Sequence, residues 1–380
     1  MGDFYLSGIF PAQKNENVEK GPLTLVICNN CGLVQLGHQY EMEKLFGDNY
    51  GYRSGLNGQM VAHLHGFVDE IMKREKFGST DLIIDIGSND STLLSRFPKT
   101  FTNLVGIDPA GNKFREFYPR HIKIIPEFFK SEKFKGQKAK LITSFSMFYD
   151  LEDPINFMRE VSEILHEEGV WVMEQSYLPL MIKNNAYDSI CHEHQEYYGL
   201  SQIKFMADQF GLNILDVSFN DTNGGSIRIF LGKREGAKME LVDQILKKEL
   251  PFRDISTYDF FQNNLVTHKN DLVALLKDLK TKGKKVVGYG ASTKGNITLQ
   301  YCGIDKFLLP IIYEVNEFKF NRFTPGSKIP IMPESIEKDA DYKLILPWHL
   351  KKSFLDREKD FLKKGGKLIF PLPHLEIISL

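Results

Sequence analysis

Leu82-Ile83-Ile84-Asp85-Ile86-Gly87-Ser88-Asn89-Asp90-Ser91-Thr92-Leu93 is an apolar run that breaks into an acid, a glycine and a string of small polar residues. A short continuous apolar run bounded by turn residues reads as a strand buried on both faces, of the kind found in parallel sheets. The polar stretch then reads as a tight turn into a helix near 91–97. Glycine at 87 lets the backbone approach a ligand closely. Ligands of doubly wound folds bind outside the carboxyl ends of the strands, where this turn falls. Asp85 there can hold an ammonium group such as that of a methionine moiety, directly or through water. Ser88 and Asn89 would face the same ligand. Asp108 follows the next strand, at a spacing of about 20 residues that suits a carboxylate accepting two ribose hydroxyls. A dinucleotide site calls for Gly-x-Gly-x-x-Gly, and this turn holds only Gly87, so S-adenosylmethionine is favoured over NAD. The plain alternative is an ordinary strand-to-helix turn with a helix cap. Pro109, Glu127, Phe128 and Ser144 complete the expected cofactor-binding set.

Outward from this turn the sequence alternates. Strands are expected at Leu82–Ile86, Asn103–Ile107, Ile122–Ile125, Leu141–Phe145 and Val170–Glu174, with helices near Ser91–Phe97 and over Pro154–Leu165. Such alternation means βαβ units and a parallel sheet. A helix over Ser201–Phe210 and strands near Ile214–Ser218 and Ser226–Leu231 would extend the sheet antiparallel. Upstream, Met60, Leu64, Phe67, Val68 and Ile71 recur at helical spacing. Downstream, residues 236–283 are charged and carry leucines at helical intervals, and alternation then resumes from Lys285–Tyr289 to Lys367–Phe370. The expected organisation is an N-terminal segment at 1–48, a cofactor-binding α/β domain at 49–235, a helical linker at 236–283 and a smaller α/β domain at 284–380.

The 380 residues exceed what one core usually organises. A formal net charge of −1 leaves no general basic field for nucleic acid. No apolar run reaches the roughly 20 residues needed to span a bilayer, and no leader pattern opens the chain, so a cytoplasmic protein is expected. The oligomeric state is left open between monomer and dimer. Four cysteines, of which only Cys28 and Cys31 are close in sequence, do not make a disulfide framework.

Three further motifs carry chemistry. Cys191-His192-Glu193-His194 follows the fifth strand and is expected to overhang the reacting methyl group. A histidine titrates near working pH and can remove a proton from a carbon beside a ketone or from a hydroxyl, with Glu193 orienting it. A His-x-His metal site and a loop-capping role are the alternatives. Cys28-x-x-Cys31 is half of a zinc knuckle with no second cysteine pair to complete it, so two free thiols are the competing reading. Val287-Gly288-Tyr289-Gly290-Ala291-Ser292-Thr293-Lys294-Gly295-Asn296 repeats the strand, glycine turn and helix pattern; its amides and Lys294 suit a phosphate, although the Gly-Lys-Ser/Thr of a P-loop is missing. A simple packed turn is the alternative there.

Taken together the chain resembles the sugar C-methyltransferase family, which methylates ring carbons of nucleotide-linked keto-deoxysugars in antibiotic and cell-surface glycan pathways. The resemblance covers nearly the whole chain and is carried by Cys28–Leu36, Tyr52-Arg53-Ser54-Gly55, the Asp85–Leu94 turn, His192-Glu193-His194, Asn223-Gly224-Gly225-Ser226, Gly288–Asn296, Pro325-Gly326 and Pro347-Trp348. It implies a small zinc-binding N-terminal part, a central S-adenosylmethionine domain and a C-terminal α/β domain that helps hold the nucleotide sugar. It also implies that His194 is the base, with Glu193 near it, His192 in the same loop, and Tyr50 or Tyr52 lining the pocket. Tyr289, Ala291, Ser292, Lys294, Asn296, Asn223 and Arg322 are the expected substrate contacts. Two departures stand out. The family has an earlier Cys-x-x-Cys, whereas this chain opens at Met1-Gly2-Asp3-Phe4, so a properly formed zinc site is not expected; and Cys191 stands where the family often has tyrosine. The competing functions are a sugar O-methyltransferase and a non-catalytic nucleotide-sugar-binding subunit.

Overall fold

A computed structural model describes residues 1–41, 45–46, 51–236, 239–337 and 340–380. Its central sheet is built from β1 (Leu82–Ile86), β2 (Leu104–Ile107), β3 (Ile122–Ile125), β4 (Ala139–Phe145), β5 (Leu165–Ser176), β6 (Asn213–Asn220) and β7 (Ser226–Gly232). These lie in the order β6-β7-β5-β4-β1-β2-β3. β3, β2, β1, β4 and β5 run parallel, and β7 pairs antiparallel with both β5 and β6. Every residue of β1 is buried, as the continuous apolar run requires. Its side chains alternate between faces. Ile83 packs with Leu64, Phe67 and Ile71 of helix α1 (Gly58–Arg74). Ile84 and Ile86 pack on the opposite face with Met158 and Val161 of α2 (Pro154–Ile164) and Ile203 of α3 (Leu200–Gln209). The sheet is therefore doubly wound, and its carboxyl edge is open between the two helical layers.

The helix expected near 91–97 shrinks to a single 3₁₀ turn at Leu94–Arg96. Ser91 sits at φ +65° and Pro98 forces Phe97 into extended backbone, so too few residues remain for an α-helix. The strand expected at Val170–Glu174 is longer, Leu165–Ser176.

Helices α4 (Met239–Glu249) and α5 (Ile255–Thr281) lead to a second sheet of β8 (Val286–Tyr289), β9 (Ile312–Glu314), β10 (Ile331–Pro333), β11 (Tyr342–Ile345), β12 (Lys367–Phe370) and β13 (Glu376–Ile378). The order is β10-β9-β8-β11-β12-β13, parallel except for β13. Helix α6 (Thr293–Cys302) follows β8 and is capped by Ser292, whose hydroxyl accepts from the Gly295 N–H. The N-terminal segment is stitched to both halves. Its strand Val34–Leu36 pairs with Leu25–Ile27 on one side and with Glu196–Tyr197 on the other. The Gln300 side chain of α6 brackets the Tyr5 backbone, accepting from its N–H at 2.8 Å and donating to its carbonyl at 3.2 Å. Among the described residues no helix is long and apolar enough to cross a membrane.

Candidate active site

At the carboxyl edge of β1 the chain turns through Gly87 (φ +76°), Asn89 (φ +47°) and Ser91 (φ +65°). The positive φ at Gly87 favours glycine, and a Cβ there would sit 3.0 Å from Met147 Cγ, so that side chain would have to give way. The turn walls a cavity lined by Asp85, Gly87, Ser88, Asn89, Asp108, Pro109, Glu127 and Phe128, with Phe129, Met147 and Leu151 supplying apolar surface. Eight of the nine expected cofactor contacts thus meet in one cavity. Asp108 accepts from the Asn89 N–H on Oδ2 and the Ala110 N–H on Oδ1, both at 2.8 Å. These bonds fix its orientation and leave lone pairs for two hydroxyls, since a carboxylate has about four acceptor sites. Tyr118 braces the turn from behind, its hydroxyl 2.7 Å from Ser88 Oγ and donating to the Asn89 carbonyl at 2.9 Å. Asp85 is 3% exposed and accepts from Thr143 Oγ1 at 2.6 Å. Burial pushes its carboxyl up to about 7, with the nearby Asp108 charge adding to the rise and the Thr143 bond opposing it. A ligand ammonium placed beside it would hold it ionised. Two buried carboxylates at the ends of neighbouring strands, lining one cavity with an apolar wall, are a donor set suited to S-adenosylmethionine.

A second cavity opens from the first and shares Phe46, Tyr52, Ser146 and Asp150 with it. Its far side is lined by Glu193, His194, Asn223, Ser292, Lys294 and His349. The Nδ1 of His194 lies 2.8 Å from the Ser189 carbonyl, which can only accept, so Nδ1 carries the hydrogen and Nε2 the lone pair. Its ring packs on Tyr149 with centroids 4.3 Å apart. Burial, then the charge of Lys294, pushes the His194 pKa down to about 3, so the ring is an unprotonated acceptor at neutral pH. Lys294 is itself fixed by donating to Ser189 Oγ at 3.0 Å and the Asn223 carbonyl at 2.7 Å. Glu193 accepts from Ser7 Oγ at 3.2 Å, so the N-terminal segment orients it.

Other expected contacts lie elsewhere. Ser144 is fully buried and accepts from Trp171 Nε1 at 2.9 Å; the cavity instead takes Ser146, beyond the strand end at φ +54°. His192 is buried against the N-terminal segment, edge-on to Tyr40 with its Nε2 directed at the Gly21 carbonyl, and does not line the cavity. Tyr289 shares a strand face with Val287 and points into the core of the second sheet, where its hydroxyl meets Glu337 and Lys343. Ala291 and Asn296 are wholly buried; the Ala291 N–H donates to Glu314 at 2.8 Å and Asn296 donates to the Ser7 carbonyl at 2.7 Å. Arg322 is tied to the Phe10 carbonyl at 2.9 Å. Tyr50 lies outside the described residues.

Cys28 and Cys31 are free thiols on the turn before Val34–Leu36. Backbone N–H groups of Cys31 and Asn30 lower the pKa of Cys28, whereas burial raises that of Cys31. Among the described residues no group of three His, Cys, Asp or Glu side chains is placed to hold a metal ion. The residues present make half of a tetrahedral zinc site and do not by themselves fit the ion.

The sequence reading missed Asp150, Ser146 and His349. Asp150 hides in Phe148-Tyr149-Asp150, a stretch that reads as core. His349 follows Pro347-Trp348 in a motif noted only for its resemblance; burial, with Lys294 second, takes its pKa down to about 3.

A doubly wound sheet carrying this cavity at its carboxyl edge, with a second cavity joined to it, defines an S-adenosylmethionine-dependent methyltransferase. Residues 60–217 match the family model of a methyltransferase domain, residues 221–373 that of a C-methyltransferase C-terminal domain, and residues 1–46 that of a zinc-binding domain. The chain is 31% identical over 372 residues to the C-methyltransferase NovU of Streptomyces niveus, covering 94% of this chain and 88% of the relative. It belongs to the C-methyltransferase family and is an S-adenosylmethionine-dependent C-methyltransferase. Solved structures overlap it only in part. An S-adenosylmethionine-dependent methyltransferase from Clostridium acetobutylicum is 18% identical with a TM-score of 0.36, covering 47% of this chain and 92% of its own. An O-methyltransferase family protein from Burkholderia thailandensis is 14% identical with a TM-score of 0.35, covering 48% and 59%. Family membership rests on the relative and the family models, not on these overlaps.

Proposed function

We propose that the enzyme methylates a ring carbon beside the ketone of a nucleotide-linked keto-deoxysugar, with His194 as the general base. The observation that carries this reading is the fixed tautomer of His194, whose Nε2 lone pair belongs to a ring lining the cavity that joins the cofactor site. When bound, S-adenosylmethionine supplies an electrophilic methyl group on sulfur. Asp85 and Asp108 hold the amino and ribose groups, and the Gly87–Ser91 turn fits around the rest. Proton uptake by His194 is opposed by Lys294. A diphosphate of the substrate lying against Lys294 and the Ser292-capped start of α6 offsets that charge and makes the ring a stronger base. Glu193, held by Ser7, lines the same cavity. Aligning the carbon with the methyl group is then a matter of position, since orientation alone can supply several kcal/mol of the barrier.

The test is incubation with methyl-labelled S-adenosylmethionine and a panel of nucleotide-linked 4-keto sugars, with the label located by NMR. A label on carbon next to the carbonyl is the expected result. A label on oxygen, or no labelled sugar at all, contradicts the reading. His194→Gln should lower turnover by about 10²-fold to 10⁴-fold, the usual worth of a positioned base.

A further inference from the structure

Asp150 is 6% exposed and sits at the seam of the two cavities, lining both. Its Oδ1 is buried and meets no hydrogen-bond partner among the described residues. Of the other buried carboxylates, Glu196 Oε2 and Asp188 Oδ1 also lack a partner among the described residues but line neither cavity, whereas Glu249 and Glu174 are consumed by the fold. Glu249 accepts from the Tyr177 hydroxyl and from the N–H groups of Leu200 and Ser201. Glu174 accepts from His63, Arg228 and Asn220. Among the described residues Asp150 caps no helix and pairs with no cation, and its backbone is pinned by the turn Phe148–Asp150, where its N–H donates to the Met147 carbonyl at 3.1 Å. The preceding Tyr149 carbonyl accepts from the Gln195 N–H at 2.8 Å, which ties the turn to the His-Glu-His loop.

The groups facing Asp150 from that loop are Cys191, Glu193, Glu196 and Tyr197, none of them a cation. Burial first, then Glu193 and Glu196, hold its proton on well above the ordinary carboxylate range. A buried neutral carboxyl with an unused oxygen is an O–H donor that lacks an acceptor, and buried polar groups of this kind are rarely left unpaired.

Resting on the reading that a carbon beside a carbonyl is deprotonated, we propose that Asp150 is a further catalytic residue, whose protonated carboxyl donates a hydrogen bond to the oxygen of the enolate. In that step Nε2 of His194 takes the carbon-bound hydrogen as a proton. The C–H electron pair forms the carbon–carbon double bond while the carbonyl π pair moves to oxygen. The enolate oxygen accepts from the Asp150 O–H, and that proton stays on Asp150 throughout. An apolar, repulsive setting that keeps an aspartic acid neutral is a known way to provide such a donor.

The experiment follows hydrogen exchange in deuterated water by NMR, using thymidine-diphosphate-linked and uridine-diphosphate-linked 4-keto-6-deoxyglucose with S-adenosylhomocysteine in place of the methyl donor. The wild type is expected to exchange the hydrogen beside the ketone, and His194→Gln to abolish it. Asp150→Ala should slow exchange about 100-fold, the typical loss on removing one oxyanion donor, whereas Asp150→Asn, which keeps an N–H donor of the same shape, should stay within about tenfold of wild type. Wild-type exchange in Asp150→Ala alongside loss in His194→Gln overturns the role of Asp150 and leaves the base in place. Equal losses in the Asn and Ala variants, with unchanged melting, also overturn it, because donation then is not what the carboxyl supplies. No exchange in the wild type overturns the deprotonation reading itself, and the role of Asp150 with it.

Discussion

The turns after β1 and after β8 have the same sequence grammar, an apolar strand, a glycine with positive φ and small polar residues leading on, yet they are used differently. After β1, three residues take positive φ, and the turn lays Gly87, Ser88 and Asn89 along the cofactor cavity before any helix begins. After β8 only Gly290 does so, and the chain enters α6 at once. Most polar groups of that second turn are spent inside the protein. Ala291 serves Glu314, Ser292 caps the helix, and Asn296 holds the N-terminal segment. Lys294 is the residue of the second turn whose charge reaches into the site. The same local pattern therefore makes a binding surface in one place and mostly a joint in the other.

Substitutions can break this contrast. The largest effect is expected for Asp108→Ala, which leaves two buried N–H groups without an acceptor and removes the carboxylate proposed to hold the ribose; calorimetry should show S-adenosylmethionine binding weakened by about 100-fold or more. Binding within twofold of wild type would mean that the first turn is a joint too. Lys294→Met should leave donor binding unchanged and raise KM for the sugar about 10-fold to 100-fold, as the loss of a charged contact of about 1.5–3 kcal/mol requires. It carries a second signature. Lys294 helps to lower the His194 pKa, so removing it moves that pKa up; activity, which needs the unprotonated ring, is then lost at a higher pH as the solution is acidified. An NMR titration of His194 that shifts downward in the variant contradicts this assignment.

Smaller effects sharpen the picture. A Cβ at Gly8 would lie 2.4 Å from Glu193 Oε1, the tip of a side chain that can swing aside, so Gly8→Ala should displace the Glu193 carboxylate with little change in melting and lower turnover without changing donor binding. Ser144→Ala should remove only the acceptor of Trp171, about 1 kcal/mol of stability, whereas Ser146→Ala should be felt in the cavity through the bond its Oγ accepts from Asn223 at 3.1 Å.

Much of the fold was legible because β1 and β2 are buried throughout and β3 to β5 each carry a short apolar core, separated by glycine, proline and polar turns. The residues that line the first cavity were legible because strand ends fix where side chains must go. What failed was direction within a strand. Tyr289 and Ser144 stand near strand ends, but each shares its face with core residues and turns away from the cavity. His192 failed for another reason: its contacts come from Gly21 and Tyr40, far away in sequence and brought near by the pairing of Val34–Leu36 with Glu196–Tyr197. Asp150 and His349 carry no motif of their own, and only the meeting of the first cavity with the second makes them neighbours of the reaction.

The most direct test of the account is a crystal structure with S-adenosylhomocysteine. The ribose hydroxyls should lie on Asp108 and the sulfur should face the seam formed by Tyr52, Ser146 and Asp150, within reach of a carbon held against His194. An adenosyl group bound away from the Gly87 turn, or a sulfur turned from that seam, would contradict it.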